Sequence, residues 1–259
     1  MSLDLLRATL DRATESGRQV TFWLRDDDAI EPTVQLETLL NMAQRTGVPL
    51  TLAVVPADAT NAIAARLEEA PLVNVAVHGW RHRNHAPSGE KKQELGLHRP
   101  KAEILGELEA ALKRVQSMFG SRTVAMLVPP WNRIDPALVP SLPSLGFQAL
   151  SVFGEEKRFT PVPLLNTHVD IIDWKVTRGG RPADTLFVEI ARRVEEISSD
   201  PLETVGILTH HLVHDAAAWS FLGTLFEHTA DHPGCRWMRS EDVLRATPKH
   251  PSPRLPSYK

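Results

Sequence analysis

Residues 19–29, Gln-Val-Thr-Phe-Trp-Leu-Arg-Asp-Asp-Asp-Ala, pass from an apolar, β-favouring run directly into three consecutive carboxylates. Gln19 to Arg25 reads as a buried strand. The carboxylates at its end repel one another unless a cation or hydrogen-bond donors hold them, which suits a metal site better than a bare surface. A helix N-cap with solvated acids is the alternative. Runs like the first half recur at Pro49 to Val55, Val73 to Val77, Thr123 to Val128, Phe147 to Ser151, Thr167 to Ile172 and Thr204 to Thr209. Helical periodicity marks Leu36 to Arg45, Ala59 to Glu69, Lys101 to Phe119 and Ala183 to Ser199. Strands alternating with helices build parallel sheets with crossover helices, so the expected fold is α/β, a barrel or close relative of about seven parallel strands.

The chain has 259 residues, a size that such folds reach as one domain. No composition shift marks a boundary, so one catalytic domain is expected over residues 1–246, followed by a Pro-rich, loosely ordered tail at 247–259. Lysines and arginines number 29 against 32 acidic residues, for a net charge of -3, without the basic excess of a nucleic-acid binder. Cys235 is the single cysteine, which excludes a disulfide framework and any multi-cysteine metal site, so a bound metal must use His, Asp or Glu. Met1 to Gly17 has helical spacing and no apolar core fit for a signal peptide, and no stretch approaches a membrane span. A cytoplasmic protein without a membrane or nucleic-acid partner is expected.

In parallel α/β folds, side chains at the carboxyl ends of strands converge on one face, where chemistry is usually done. Five strand ends here carry unusual residues: Asp26-Asp27-Asp28, His78 to His82, Pro129-Pro130-Trp131, Asp170 to Trp174, and His210-His211. His78 and His82 are four apart, within reach of one ion on a helix face or in a tight loop. Two histidines and one aspartate make three ligands and leave room for water, whose pKa the ion lowers; a second aspartate can take its proton. His85 falls on the substrate side of this group. His210, with His211 and His214 close by, could protonate a leaving amine or alkoxide. Each histidine could instead be a satisfied core residue.

The ordered series Asp-Asp, His-x-x-x-His, Pro-Pro-Trp, Asp-x-x-Asp-Trp, Leu-x-His resembles the five motifs of the polysaccharide deacetylase, or NodB-homology, superfamily, and it spans Asp27 to His210. The resemblance implies a distorted (β/α) barrel and hydrolysis of N- or O-acetyl groups with a divalent metal, usually Zn2+. It also implies Asp27 as catalytic base, Asp28, His78 and His82 as metal ligands, and Trp131 as a backbone oxyanion donor. Asp170 would orient and charge the catalytic acid His210. The chain departs from the pattern at Asp26, Ala29, Val128 and His211. Val128 stands where the family has an arginine that braces the base, so Arg25 or Arg133 is expected to replace it, Arg25 preferred because strand alternation puts it on the side of Asp27. Trp174, Pro130, Leu208 and His85 are assigned as substrate contacts.

The sequence therefore predicts a divergent, metal-dependent deacetylase or amidohydrolase acting on an amino sugar, oligosaccharide or small amide. A cyclic amidohydrolase of the same superfamily and a non-catalytic carbohydrate-binding relative are the alternatives; retention of both Asp27 and His210 speaks against the second.

Overall fold

The computed structural model describes residues 1–156, 160–197 and 202–246, so the Pro-rich tail lies outside the described residues. Helix α1 (Ser2–Glu15) leads into β1 (Val20–Ala29), then α2 (Val34–Thr46), β2 (Leu50–Val54), α3 (Asn61–Glu68) and β3 (Val73–Val77). After a long loop come α4 (Lys101–Phe119), β4 (Thr123–Leu127), β5 (Ala149–Leu150), β6 (Val169–Asp170) and α5 (Ala183–Glu196). The chain closes with β7 (Val205–Thr209), α6 (Ala216–Thr229), β8 (Cys235–Trp237) and α7 (Ser240–Ala246). The main sheet order is β5-β4-β3-β2-β1-β7-β6 with every pairing parallel, and β8 joins the beginning of β1. This is the distorted α/β barrel that the strand–helix alternation predicts.

Local chemistry sets the helix ends. Thr33, Thr60 and Asp215 accept backbone N–H groups at the starts of α2, α3 and α6, and Gly47 ends α2 at φ 71°. Along α4, Ile104, Leu108, Ala111, Leu112, Val115 and Phe119 recur at three- and four-residue steps and are buried.

Strand alternation then divides the interior into two layers. Phe22, Leu24, Leu52, Val54, Val75 and Val77 face the helices in the larger cluster. Trp23, Ala53, Ala76, Met126, Val128 and Ala149 face the barrel interior. Small residues there make room for the Trp23 indole, and at Gly206 any Cβ would stand 2.6 Å from Trp23 Nε1. Helix α7 covers the amino ends of the strands, where Thr51 Oγ1 donates to Ser240 Oγ at 2.8 Å and Val243 joins the inner cluster. With that end filled, the carboxyl ends are left as the place for a site.

The carboxylates of 26–28 do not follow β1 but belong to it, since the strand runs on to Ala29. Strand β8 and helices α6 and α7 were not marked in the sequence: β8 has only three residues, and α6 is so generally apolar that no polar face betrays its period.

Candidate active site

The three aspartates of β1 leave the same strand in different directions. Alternation puts Arg25 and Asp27 on the inner face and Asp26 on the outer. Asp28 should then point outward, but the β1–β2 register shifts between Asp27 and Ala29, and Asp28 takes φ 75°. Such a bulge re-aims a side chain. It turns Asp28 towards the histidines of the loop after β3, with Oδ1 3.0 Å from His78 Nε2 and 3.3 Å from His82 Nε2.

That loop is built to hold both imidazoles. His78 Nδ1 lies 2.9 Å from the carbonyl of Val128, which only accepts, so Nδ1 carries the proton and the Nε2 lone pair is left facing Asp28. His82 sits at φ 53°. Beneath the loop the buried carboxylate of Glu94 accepts the backbone N–H groups of Trp80 at 3.0 Å, Arg81 at 2.8 Å and Arg83 at 3.3 Å. Gly79 permits this approach: its φ is 61°, and a Cβ there would lie 2.0 Å from Glu94 Oε2 and 2.6 Å from the Pro130 ring.

Ligand atoms of Asp28, His78 and His82 all fall within 4.8 Å of one another. Two imidazole nitrogens and one carboxylate oxygen fit a zinc-type ion with a position left open. Burial alone would raise the Asp28 carboxyl; hydrogen bonding and charge from His78, with charge from His82 and His210, reverse this and hold it well below the usual carboxylate range. Burial lowers the His82 imidazole, against the pull of Asp28, and so favours the neutral form that ligation needs.

Asp27 is buried against Arg25, itself without solvent exposure. Arg25 Nη2 donates to Asp27 Oδ2 at 3.0 Å, and Nε lies 2.9 Å from Oδ1. The guanidinium also donates to Ser151 Oγ and Asn132 Oδ1, both at 2.7 Å. Arg133 instead donates to the Lys92 carbonyl. Of the two arginines considered for bracing Asp27, Arg25 is the one in contact with it.

Across the cleft, His210 Nε2 lies 4.0 Å from Asp27 Oδ2. Asp170, expected to orient His210, makes no hydrogen bond to it. Asp170 Oδ1 accepts from Ile172 N at 2.9 Å and Oδ2 from Trp174 Nε1 at 2.8 Å, while His210 Nδ1 is buried without a hydrogen-bond partner among the described residues. Trp174 takes the place between them, its ring edge-on to His210 at 4.7 Å. Burial raises the Asp170 carboxyl, with the charge of Asp27 adding and that of His210 opposing.

A cleft of about 610 Å³ is lined by Asp27, Asp28, His78, His82, Asp170 and His210, with Trp131 and Trp174 among its walls. Trp131 stands at φ 55°, tilted on His82 at 4.3 Å. Three residues assigned to substrate are elsewhere. Leu208 is fully buried within β7, which ends before His210, and Pro130 is buried beside Gly79. His85 is tied into its loop by donating its N–H to Gln93 O and is not part of the cleft lining. Glu94, Asn132 and Ser151 were missed. Ser151 ends the fifth predicted strand and was open to the same strand-end reasoning, whereas Glu94 lies within a polar loop that gives no periodic signal.

His211 and His214 do not face the cleft lining. His211 Nδ1 pairs with Asp26, which also accepts from Thr209 Oγ1 at 2.7 Å and His211 N at 2.8 Å, in a fully buried group. His214 packs edge-on against Trp219 at 4.4 Å, with both ring nitrogens buried and unpartnered among the described residues. Burial pushes its pKa down to about 4, helped by His211 and His210 and opposed by Asp26 and Asp215. Between that value and its usual 6.5 the unfolded chain binds a proton that the folded chain refuses, so stability falls as pH drops through this window. The loss by pH 4.5 is on the order of 2 kcal/mol. His214→Leu should flatten the decline in melting temperature between pH 7 and 4.5; an unchanged decline assigns the acid sensitivity to other groups.

Residues 17–150, just over half of the chain, match the polysaccharide deacetylase family. The chain belongs to the polysaccharide deacetylase family. The match includes Asp27, Asp28, His78, His82 and Trp131; Asp170 and His210 lie beyond it and are brought to the same cleft by the fold. A search of curated proteins found no match. Among solved structures, the deacetylase fold is shared with a family 4 carbohydrate esterase from Streptomyces lividans in complex with acetate, at 15% identity and TM-score 0.55 over 83% of this chain and 90% of that one. It is shared with a peptidoglycan deacetylase from Bacillus subtilis at 15% identity and TM-score 0.56, over 88% and 91% of the two chains. A family 4 acetyl xylan esterase from Clostridium thermocellum in complex with a cobalt ion gives 15% identity and TM-score 0.52 over 88% and 93%.

Proposed function

We propose that this polysaccharide deacetylase family member is a metal-dependent hydrolase removing an acetyl or related acyl group from an amino sugar, oligosaccharide or small amide. The observation that carries the reading is one cleft in which Asp27, gripped by Arg25, lies beside the Asp28–His78–His82 group and 4.0 Å from His210. A binding module needs neither a braced carboxylate nor a histidine opposite it.

Asp28, His78 and His82 would hold a divalent cation, by donor type most readily Zn2+. Such an ion supplies Lewis acidity, making water acidic near neutral pH and polarising an acyl carbonyl. Asp27 takes the proton of the attacking water, because Arg25 fixes its carboxylate at the edge of the cleft. His210, protonated on Nε2, gives a proton to the departing nitrogen or oxygen. Trp174, which donates to Asp170 and packs edge-on against His210, holds both groups in place. The backbone N–H of Trp131 is assigned to the developing oxyanion. The neighbours that bind acetate and cobalt agree with this chemistry. The single cysteine, buried and free, suits a reducing compartment, and we place the protein in the cytoplasm; no helix among the described residues is long and apolar enough to cross a membrane.

The test is reconstitution with zinc, metal analysis, and acetate release from N-acetyl amino sugars, their oligomers and simple amides, with ring opening of cyclic amides assayed alongside. Alanine at Asp28, His78 or His82 should remove metal and activity together. Metal binding indifferent to all three substitutions, or a zinc-loaded protein inert towards every acyl compound, overturns the reading.

A further inference from the structure

Three cationic side chains that the assigned chemistry does not use line the cleft. Its lining includes Lys92, Arg133 and Arg178, and none of the three forms an ion pair among the described residues. Other cationic side chains do find carboxylates, Arg66 with Glu37, Arg99 with Glu107 and Arg181 with Glu189, whereas these three share one cleft and leave their charge to it. The carboxylates of the same cleft are already engaged: Asp27 by Arg25, Asp28 by the two histidines, Asp170 by Ile172 N and Trp174.

Two of the cations are also held in place. Lys92 Nζ lies 5.9 Å from the Trp131 ring centroid, and Arg133 Nη1 donates to the Lys92 carbonyl at 2.8 Å, so both belong to one wall. Arg178 is on the loop after β6 at φ 57°, a conformation disfavoured for a residue with a Cβ, and its N–H donates to Asp173 O at 2.7 Å. The Asp173 carboxylate accepts the N–H groups of Lys175 and Val176 in the same turn. Arg178 thus brings to the rim of the cleft a cationic head that has no ion pair among the described residues, where a ligand can supply the partner.

We infer that the substrate of this site is an anion: an N- or O-acyl compound with a carboxylate or phosphate group, received at the mouth by Arg133, Arg178 and Lys92 while the acyl group lies on the floor. Arginine forks match both anions bidentately, and unpaired cations beside a low-dielectric cleft raise the local concentration of negatively charged ligands. This rests on the hydrolase reading for the identity of the scissile bond, but the charge preference is a binding property that can be measured separately.

The experiment is calorimetric titration of the zinc-loaded protein with N-acetylglucosamine, its 6-phosphate, and the corresponding N-acetylated uronic acid, with acetate release followed in parallel. At least one acid should bind about tenfold more tightly than the neutral sugar at low salt, the advantage shrinking as ionic strength rises. The better of the two acids tells phosphate from carboxylate. Arg133→Gln and Arg178→Gln together should bring the ratio of affinities towards one, which separates the rim from attraction by the ion itself. Equal affinity for acid and neutral sugar, a ratio that survives the double substitution, or no binding of either acid overturns the inference. If the ratio behaves as expected while no acetate appears from any compound, the charge preference stands and the hydrolase reading falls.

Discussion

Asp27→Asn lowers turnover by about 10³-fold and leaves the bound metal at wild-type stoichiometry, the largest separation of the two properties expected at any position in the cleft. Asparagine retains the size of the side chain and an oxygen for Arg25, so the cleft keeps its shape. It loses the ability to take a proton, which is the whole of the assigned role. Asp27 is not one of the three groups whose ligand atoms converge, so metal retention should be unaffected. Single-turnover rates with a good substrate, together with metal content, decide the matter. Activity within tenfold of wild type would move the base elsewhere, and loss of metal would make Asp27 a ligand.

Arg25→Met is expected to be the most destabilising change in the site. The guanidinium is wholly buried and is shared among Asp27, Ser151 and Asn132. Its removal leaves the Asp27 carboxylate without a partner in a dry environment, a situation that costs about 3–5 kcal/mol. For a chain of this size that corresponds to a fall in melting temperature on the order of 10 °C. Arg25→Lys keeps the charge but replaces the planar fork, which meets Asp27 through both Nε and Nη2, with a single nitrogen, and should be intermediate. The decisive comparison is the double variant Arg25→Met with Asp27→Asn. With the orphaned charge gone, it should be more stable than Arg25→Met alone, a coupling that additive losses would refute.

The sheet was readable because buried parallel strands must be short apolar runs between turn signals, and all seven runs from Gln19 to Thr209 contain a strand. The clustering of chemistry at strand ends was readable for the same reason. What sequence could not supply was direction. Spacing put His85 beside His78 and His82, but a loop that curls around Glu94 carries it away from the cleft. Motif order put Asp170 against His210, but the Trp174 indole fills the hydrogen-bonding position. Alternation correctly set Arg25 beside Asp27, because both lie on a regular part of β1; it fails for Asp28, where the bulge breaks the alternation on which such reasoning depends.

The bulge in β1 also gives this chain a built-in control experiment. Asp26, Asp27 and Asp28 are chemically identical neighbours, yet one is locked to His211 behind the sheet, one to Arg25 inside the barrel and one to the histidine loop. The same one-atom exchange, aspartate to asparagine, made at three successive positions should therefore give three unlike phenotypes: a weakened fold, an idle catalyst and a cleft that no longer retains its ion. Composition, charge and expression background are equal in all three proteins, so any difference among them measures the backbone's choice of direction and nothing else.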